Sequence, residues 1–133
     1  MSSSCIIGTG IDIVENERML EILRKWGAKF KDRVFLENEQ KYCEIKADPC
    51  SHYAGRFAVK ESVSKAFGTG ISPHISWLDI EIVNAHLTGA PSVKFSRKAQ
   101  KLADAHGVGD VLISLSHTRN YAIAHAFLVR KQS

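Results

Sequence analysis

The chain has 133 residues, a formal net charge of +4, 44% hydrophobic residues and 24% charged residues. This length suits one domain over residues 1–133 with a modest core, and the composition is ordinary for a soluble globular protein. No apolar run approaches the roughly 20 residues that a membrane helix needs. The basic charge fits an anionic partner (nucleic acid, a phosphorylated cofactor, an acidic protein or an anionic membrane) or a merely solvated surface.

The N-terminal segment "MSSSCIIGTG" lacks a basic region and a long apolar region, so we expect no secretory signal. The three cysteines, Cys5, Cys43 and Cys50, are odd in number and lack metal-ligand spacing. They suit free thiols in a reducing compartment. The sequence therefore predicts a cytoplasmic protein.

The first third of the chain predicts a strand followed by helices. Apolar and β-branched residues predict a buried strand from about Cys5 to Val14. A helical stripe follows, which Gly27 should break or bend. Its members are Met19, Ile22, Leu23, Trp26 and Phe30. The segment "ENEQKYCEIKA" predicts a polar helix whose end is marked by Pro49.

The stretch "GRFAVKESVSKAFGTG", residues 55–70, predicts a helix with one core face and one polar face. The apolar stripe consists of Val59, Val63, Ala66 and Phe67. The polar face consists of Lys60, Glu61, Ser64 and Lys65. Gly68 and Gly70 should end the helix and let the backbone approach a ligand closely.

The rest of the chain predicts mostly antiparallel strands. "ISWLDIEIVN" alternates as a strand does, and "AHLTGAP" predicts a turn into a strand at "SVKF". Ser96 should cap a helix, "RKAQKLADAH", that Gly107 ends. "DVLISLSH" and "YAIAHAFLV" predict a closing hairpin. The pattern predicts an α+β fold with helices packed on a mainly antiparallel sheet.

Asp12 lies within an apolar strand, where a carboxylate is costly unless it is paired or ligated. By itself Asp12 could also turn to solvent or cap a helix that starts at Glu15, and Glu61 could form only a solvated pair with Lys65. Together the two carboxylates match a magnesium–phosphate site. The remaining phosphate charge could be neutralised by Arg56, Lys60 and Lys65.

His117 lies at a predicted strand end in "LSHTRN", where Ser116, Thr118 and Arg119 add hydrogen-bond donors. It could bind a phosphate or a ring, and it could equally be a turn residue with no role.

Three segments taken together, "GTGIDIVENERM", "GRFAVKESVSKAFGTG" and "SHTRNYAIAHA", resemble the holo-acyl-carrier-protein synthases, the small bacterial type of phosphopantetheinyl transferase. The likeness covers nearly the whole chain, including "SWLDIEI" and the "TGAP" turn. It implies the phosphopantetheinyl transferase fold, assembled as a homotrimer with coenzyme A at the junctions of neighbouring subunits. It also implies that His117 serves a site whose Asp12 and Glu61 come from the adjacent subunit.

The activity that the resemblance implies is magnesium-dependent transfer of 4′-phosphopantetheine from coenzyme A to a serine of acyl carrier protein. The products are holo-acyl carrier protein, which supports fatty acid biosynthesis, and adenosine 3′,5′-bisphosphate. The serine proton could be taken by Glu61, by Asp12 or by a water molecule at the metal, and the residues do not choose among these.

The resemblance also assigns site residues. Asp12 and Glu61 would ligate magnesium and, with Lys65, carry the catalysis. Coenzyme A would be bound by residues of the helix motif and of the late "HT" pair, namely Arg56, Lys60, Ser64, Lys65, Gly68, His117 and Thr118. Acyl carrier protein would dock on the basic helix through Arg18, Arg24, Lys25 and Lys29. The chain departs from relatives in its "MSSS" start and in Ala28, where relatives often have a basic residue.

Two other classes of protein compete with this interpretation. One is a basic RNA-binding module, but Trp26, Phe30, Phe57 and Phe67 fall mainly on apolar stripes rather than on a basic face. We therefore expect no nucleic-acid partner and no membrane partner. The other is a silent assembly protein that binds coenzyme A without transfer.

Overall fold

The computed structural model describes residues 5 to 132 of the chain, so the predicted N-terminal extension at residues 1–4 lies outside the described residues. Over that range five strands and five α-helices form an α+β fold. In chain order they are β1 Ile6–Glu15, α1 Asn16–Trp26, α2 Ala28–Val34, α3 Glu37–Glu44, α4 Pro49–Ala66, β2 Ile80–Asn84, β3 Pro91–Phe95, α5 Arg97–Ala105, β4 Val108–His117 and β5 Tyr121–Arg130.

The main sheet is antiparallel and has the strand order β1-β5-β4. The predicted closing hairpin of β4 and β5 is confirmed, and the first strand of the chain pairs along the last. Asp12 lies opposite Ala124, and Val14 and His117 both lie opposite Ala122, on either side of β5. A separate antiparallel pair is formed by β2 and β3. The prediction of helices on a mainly antiparallel sheet is therefore confirmed.

The long helix α4 lies on the inner face of the main sheet, because that face consists of small residues. On β5 the inward side chains are alanines with no exposed surface, at positions 122, 124 and 126. On β1 the inward positions 8 and 10 are glycines. A Cβ atom on Gly10 would overlap the Ser62 carbonyl oxygen, and one on Gly8 would overlap that of Ala66. The β1 backbone therefore rests directly on α4, and Asp12 is the next inward residue.

The helical segment after β1 divides at Gly27, as the sequence predicts. Gly27 has a φ of 52° and separates α1 from α2. Met19 is 1% exposed and anchors α1 in the core, whereas the ring of Trp26 is largely in solvent. The prediction that Trp26 belongs to the apolar stripe is thus wrong, because the chain turns at the next residue and no element within residues 5–132 covers that side chain.

Pro49 begins a helix and does not end one, which corrects the sequence prediction. Helix α3 ends at Glu44, and Pro49 occupies the first turn of α4. Asp48 caps α4 by accepting a hydrogen bond from the Ser51 backbone N–H at 3.4 Å. Proline is favoured at the first helical position because the N–H that it lacks would have no partner there.

The predicted strand "ISWLDIEIVN" is correct only in its second half. Its first half forms a short 3-10 turn, Trp77–Asp79, before β2 begins at Ile80. The next two predictions are confirmed. Ser96 Oγ accepts a hydrogen bond from the Ala99 N–H at the start of α5, and Gly107 has a φ of 72° just after its end.

The outer face of the main sheet carries apolar side chains that no described residue covers. Ile11 is 60% exposed, Ile13 59% and Leu112 56%. The expectation of a fully buried first strand is therefore wrong for the single chain, because only one face of β1 meets α4. Among the helices of residues 5–132, none is long and apolar enough to cross a membrane.

Candidate active site

Two carboxylates from different elements meet where β1 crosses α4. Asp12 faces α4, and its side chain is 16% exposed, so the alternative of a solvent-facing carboxylate is wrong. Asp12 does not cap α1 either, because Glu15 occupies the cap position of that helix. Glu61 lies on α4 and is half-buried.

Lys65 completes this group one helical turn after Glu61. Its ammonium nitrogen lies 2.9 Å from Asp12 Oδ1 and 3.1 Å from the Ile11 carbonyl oxygen. The side chain is about half exposed, so its cationic end can be reached from solvent. The structure thus brings together the three residues that the sequence predicts as catalytic.

The environment of Glu61 opposes its ionisation. Burial raises the pKa of the Glu61 carboxyl, the nearby charge of Asp12 raises it further, and the Trp77 indole and the Lys65 charge lower it. The net pKa lies above the ordinary glutamate value. Two neighbouring carboxylates in such a setting are stabilised when a cation lies between them.

The carboxylate oxygens of Asp12 and Glu61 suit a hard divalent cation whose other ligands are supplied by water and substrate. Between residues 5 and 132 there is no cluster of three or more His, Cys, Asp or Glu side chains that could hold a metal ion. Magnesium is commonly held by one or two carboxylates together with substrate phosphates. The Asp12–Glu61 pair therefore fits magnesium, whereas a structural zinc ion would need about four protein ligands.

Lys60 does not lie on a polar face, which corrects the sequence prediction. Its side chain has no exposed surface, and its ammonium group donates to Glu39 Oε1 at 2.7 Å and to the carbonyl oxygens of Trp77 at 2.8 Å and Ile80 at 2.6 Å. All three ammonium donors are thus used within the core. Lys60 therefore cannot contact coenzyme phosphates in this conformation.

Ser64 is also buried, with no exposed surface, and its hydroxyl donates to the Glu61 carbonyl oxygen at 2.7 Å. The expectation that Ser64 keeps an open helix face is wrong, because α4 is covered by the main sheet on one side and by α3 and β2 on the other. Gly68 differs, since it is exposed just beyond α4 with a φ of 84° and no atom near its missing Cβ.

Arg56 is 5% exposed and lies beside a pocket away from the paired carboxylates. Its Nη2 donates to Asn84 Oδ1 at 2.6 Å, and its guanidinium carbon lies 4.0 Å from the ring centroid of Tyr42. Lys46 lies over the same ring at 4.4 Å. These residues line a pocket of about 450 Å³ that also includes His86. The pocket therefore presents cations and an aromatic ring together.

His117 packs closely against α4 because residue 55 is a glycine and has no side chain. A Cβ atom on Gly55 would lie 2.7 Å from His117 Cε1. The His117 ring also lies 6.1 Å from that of His52, which in turn lies 5.8 Å from Tyr42. Burial and the nearby His117 lower the pKa of His52. The rings thus link His117 to the pocket beside Arg56.

Sequence reasoning missed His52 and Tyr42 in this second cluster. For His52 a signal existed, because it precedes Arg56 by four residues and so lies on the same helical face. For Tyr42 none existed, since it comes from α3 and meets Arg56 only through the packing of α3 on α4.

Thr118 shapes the turn between β4 and β5. Its hydroxyl accepts hydrogen bonds from the backbone N–H groups of Tyr121 at 2.9 Å and Asn120 at 3.3 Å. Asn16 reinforces the turn by donating to the Thr118 and Arg119 carbonyl oxygens. Within one chain, therefore, the Thr118 hydroxyl orders the backbone next to His117.

The four basic residues predicted to face a partner are all exposed, namely Arg18, Arg24, Lys25 and Lys29. Arg18 lines a groove of about 340 Å³ together with Asp12, Met19, Ile22 and Phe57. The groove thus runs from the basic helix to Asp12, one of the two paired carboxylates. Lys29 lies in α2, beyond the break at Gly27, so the four residues do not share one straight helix.

The two clusters lie on different parts of α4. Gly55, which contacts His117, precedes Glu61 by six residues, which corresponds to about 9 Å along the helix axis and a different helical face. An α+β chain with paired carboxylates and a lysine at one site, and a cationic, aromatic-lined pocket at another, has the features of a metal-dependent protein that acts on phosphorylated compounds.

Comparison with known proteins narrows this class. The profile of the 4′-phosphopantetheinyl transferase superfamily matches residues 8–126. The chain is 44% identical over 125 residues to the holo-[acyl-carrier-protein] synthase of Geobacter sp. (strain M21), covering 94% of this chain and 99% of that one. It is 47% identical over 120 residues to the enzyme of that name from Protochlamydia amoebophila, covering 90% and 95%.

Comparison with solved structures indicates the same family as comparison with related sequences. The Neisseria meningitidis holo-[acyl-carrier-protein] synthase superposes with a TM-score of 0.88 at 30% identity, covering 94% of this chain and 99% of that one. The Helicobacter pylori enzyme, solved in complex with coenzyme A, superposes with a TM-score of 0.80 at 32% identity, covering 90% and 98%. The chain therefore belongs to the 4′-phosphopantetheinyl transferase superfamily, and the family that the sequence motifs indicate is confirmed.

Proposed function

We propose that the chain transfers 4′-phosphopantetheine from coenzyme A to a serine of acyl carrier protein, releasing adenosine 3′,5′-bisphosphate. The observation that carries this proposal is the meeting of Asp12, Glu61 and Lys65 where β1 crosses α4, in a member of this superfamily. The chain is thus an enzyme, a phosphopantetheinyl transferase of the holo-acyl-carrier-protein synthase type.

Asp12 and Glu61 are the residues that would hold a magnesium ion. Bound there, the ion would polarise the β-phosphate of coenzyme A and neutralise charge on the departing bisphosphate. Lys65 reaches the same place from α4 with a half-exposed ammonium group, so it would hold the negative charge that spreads over the phosphate oxygens. Glu61 and Asp12 both remain candidates to accept the serine proton.

The second cluster is suited to the nucleotide part of coenzyme A. Its pocket combines Arg56 and Lys46 with the ring of Tyr42, and His117 and His52 lie at its side. Arginine and lysine can bind phosphate groups, and an aromatic ring can stack on a base. Arg56 and His117 therefore remain proposed coenzyme residues, whereas Lys60 and Ser64 no longer do.

We further propose a homotrimer with its sites between neighbouring subunits. Support comes from the outer sheet face, where Ile11, Ile13 and Leu112 are more than half exposed in the single chain. An exposed apolar face of this kind is typical of a protein–protein interface. His117 packs on α4 at Gly55, whereas Glu61 lies on another face of that helix. This separation supports the proposal that the two residues of one chain belong to two different sites of the trimer. His117 of one subunit would then meet Glu61 of the next.

Acyl carrier protein would dock along the groove that begins at Arg18. Arg18 and Asp12 line the same groove, so a partner held by the basic helix could place a serine close to the paired carboxylates. An acidic partner would be attracted by Arg24 and Lys25, which are exposed on α1, and by Lys29, which is exposed on α2.

The experiment that tests the function is mass spectrometry of an apo-acyl carrier protein incubated with the purified chain, magnesium and coenzyme A. We expect the carrier to gain one phosphopantetheine group, and the gain should require all three components. A carrier whose mass does not change, although coenzyme A binds, would identify a silent coenzyme-binding protein instead.

A further inference from the structure

The side chain of Trp77 contacts the candidate metal-binding carboxylate directly. Its indole N–H donates to Glu61 Oε1 at 3.4 Å. The other carboxylate oxygen, Oε2, receives no hydrogen bond from any described residue. Trp77 therefore constrains one oxygen of Glu61 and leaves the second oxygen for other ligands.

The position of the indole follows from the residue beneath it. The Trp77 ring stacks on that of Phe57, with the centroids 6.3 Å apart and the planes inclined by 26°. Phe57 precedes Glu61 by four residues on α4, so the two side chains are neighbours on one helical face. A ring that lies on Phe57 is thereby placed with its N–H edge at Glu61.

The backbone of Trp77 is held by the buried lysine. Lys60, which is the residue before Glu61 in the chain, donates to the Trp77 carbonyl oxygen at 2.8 Å. The same ammonium group is fixed by Glu39 at 2.7 Å. Lys60 and Glu61 therefore hold the two ends of Trp77, one through its carbonyl and the other through its indole.

The far end of the 3-10 turn is anchored as well. The Ser96 N–H donates to the Asp79 carbonyl oxygen at 2.9 Å, and the Ser96 hydroxyl donates to Asp79 Oδ1 at 2.7 Å. Lys98 lies 3.2 Å from Asp79 Oδ2. Because both ends of this short turn are fixed, the indole has little freedom to leave Glu61.

We propose that Trp77 is a positioning residue for metal binding, because its indole N–H orients the Glu61 carboxylate towards the cation that Asp12 and Glu61 share. This inference rests on the proposed metal site and adds a residue that acts on it through Glu61. Trp77 contributes to the affinity for the metal and does not itself take part in the transfer.

The first test measures metal binding directly, with Mn²⁺ as the probe. Free Mn²⁺ is followed by electron paramagnetic resonance at a fixed coenzyme A concentration, with protein-free blanks. Trp77→Phe keeps a ring on Phe57 but removes the N–H, and Trp26→Phe is the matched control at the other tryptophan of the chain. We expect Trp77→Phe to raise the Mn²⁺ dissociation constant roughly three- to tenfold and Trp26→Phe to leave it unchanged. Equal dissociation constants in the two variants would overturn the proposal.

The second test leaves Trp77 in place, so it holds even if Trp77→Phe destabilises the chain. The two indole N–H resonances of the ¹⁵N-labelled protein are assigned with Trp26→Phe. Glu61→Gln should move the Trp77 resonance, and so should Mg²⁺ with coenzyme A, while Trp26 should not respond. If the Trp77 resonance has the same chemical shift in Glu61→Gln as in the wild type, the indole is not hydrogen-bonded to the carboxylate.

Steady-state kinetics separate this role from a general structural one. Trp77→Phe should raise the magnesium concentration for half-maximal transfer by a factor similar to that for Mn²⁺, with the carrier KM unchanged. An equal loss of the transfer rate at saturating magnesium would indicate a merely structural residue.

If Mn²⁺ binding responds as expected but no carrier is modified, the proposed transfer fails while the role of Trp77 stands. If Asp12→Asn leaves Mn²⁺ binding intact, the metal site itself is wrong and so is this role.

Discussion

The ammonium group of Lys60 lies 2.7 Å from Glu39 Oε1, and neither side chain has any exposed surface. Five residues further along the same helix, Lys65 pairs with Asp12 in a half-exposed position. Two lysines of one sequence motif thus have different roles, the first in joining α3, α4 and β2, the second at the candidate active site. Burial lowers the pKa of the Lys60 ammonium group, and Glu39 opposes this effect.

The same substitution at each lysine should separate these roles. Lys60→Met leaves the buried Glu39 charge without its closest cation, so we expect a loss of about 3–5 kcal/mol in the free energy of unfolding. Lys65→Met should change that free energy by less than about 1 kcal/mol, because its ion pair is partly solvated, yet it should greatly reduce transfer. Chemical denaturation and the carrier assay measure the two effects. Wild-type stability of Lys60→Met would contradict the structural role of the buried pair.

Removal of either candidate metal ligand should nearly abolish transfer and leave the fold intact. We expect this for Asp12→Ala and for Glu61→Ala, since each takes a ligand from a cation with few protein contacts. Excess magnesium could partly rescue one of them, because water can replace a missing oxygen. Asp104→Ala, on the exposed side of α5, is the control. Near-normal activity of Asp12→Ala or Glu61→Ala at limiting magnesium would rule out the metal assignment.

Mixed assemblies test whether a site is shared between subunits. If His117 and Glu61 act across an interface, chains with His117→Ala and chains with Glu61→Ala should regain some activity when they are refolded together. Some interfaces then contain both intact residues. The single His117→Ala variant must first be shown to be impaired. No recovery, despite mixed trimers demonstrated by mass spectrometry, would place both residues in one site of one chain.

Reversal of charge at Arg18 should affect the carrier more than the coenzyme. Arg18 lines the groove that leads to Asp12, and opposed charges chiefly raise the encounter rate and set orientation. We expect Arg18→Glu to raise the carrier KM well beyond the coenzyme A KM, with less change in the maximal rate. Added salt should weaken the wild-type interaction, because exposed charges are screened over about 8 Å at physiological ionic strength. Lys101→Glu, on α5, is the control, and equal small effects on both substrates would remove the basic helix from the docking surface.

The three thiols should differ in reactivity. Burial raises the pKa of Cys43 from 9.0 to about 12, and burial also raises that of Cys50, whereas Cys5 is exposed. Because the thiolate is the reactive form, a disulfide reagent at pH 8 should modify Cys5 first and Cys43 only after unfolding. The raised pKa also predicts that stability falls as pH rises above about 9, where only the unfolded Cys43 loses its proton. Rapid labelling of Cys43 in the folded chain would contradict its burial.

The sequence by itself determined the elements with strong periodicity and the residues with unusual neighbours. The closing hairpin, the break at Gly27 and the cap at Ser96 follow from alternation, backbone freedom and hydrogen bonding over a few residues, so they were predictable. Asp12 was identifiable because a carboxylate within an apolar strand needs a partner. The motifs around Asp12, Glu61 and His117 were sufficient to indicate the family.

Only the tertiary structure decided which polar residues of α4 reach solvent. Helical spacing separates an apolar stripe from a polar one, but it does not reveal that α3 and β2 cover the second side and bury Lys60, Ser64 and Arg56. The partners of these residues, Glu39 and Asn84, are 21 and 28 positions away from Lys60 and Arg56, respectively. The contact between Trp77 and Glu61 likewise depends on how a separate turn packs on α4. Contacts between elements distant in sequence leave no periodic signal, so packing alone determines them.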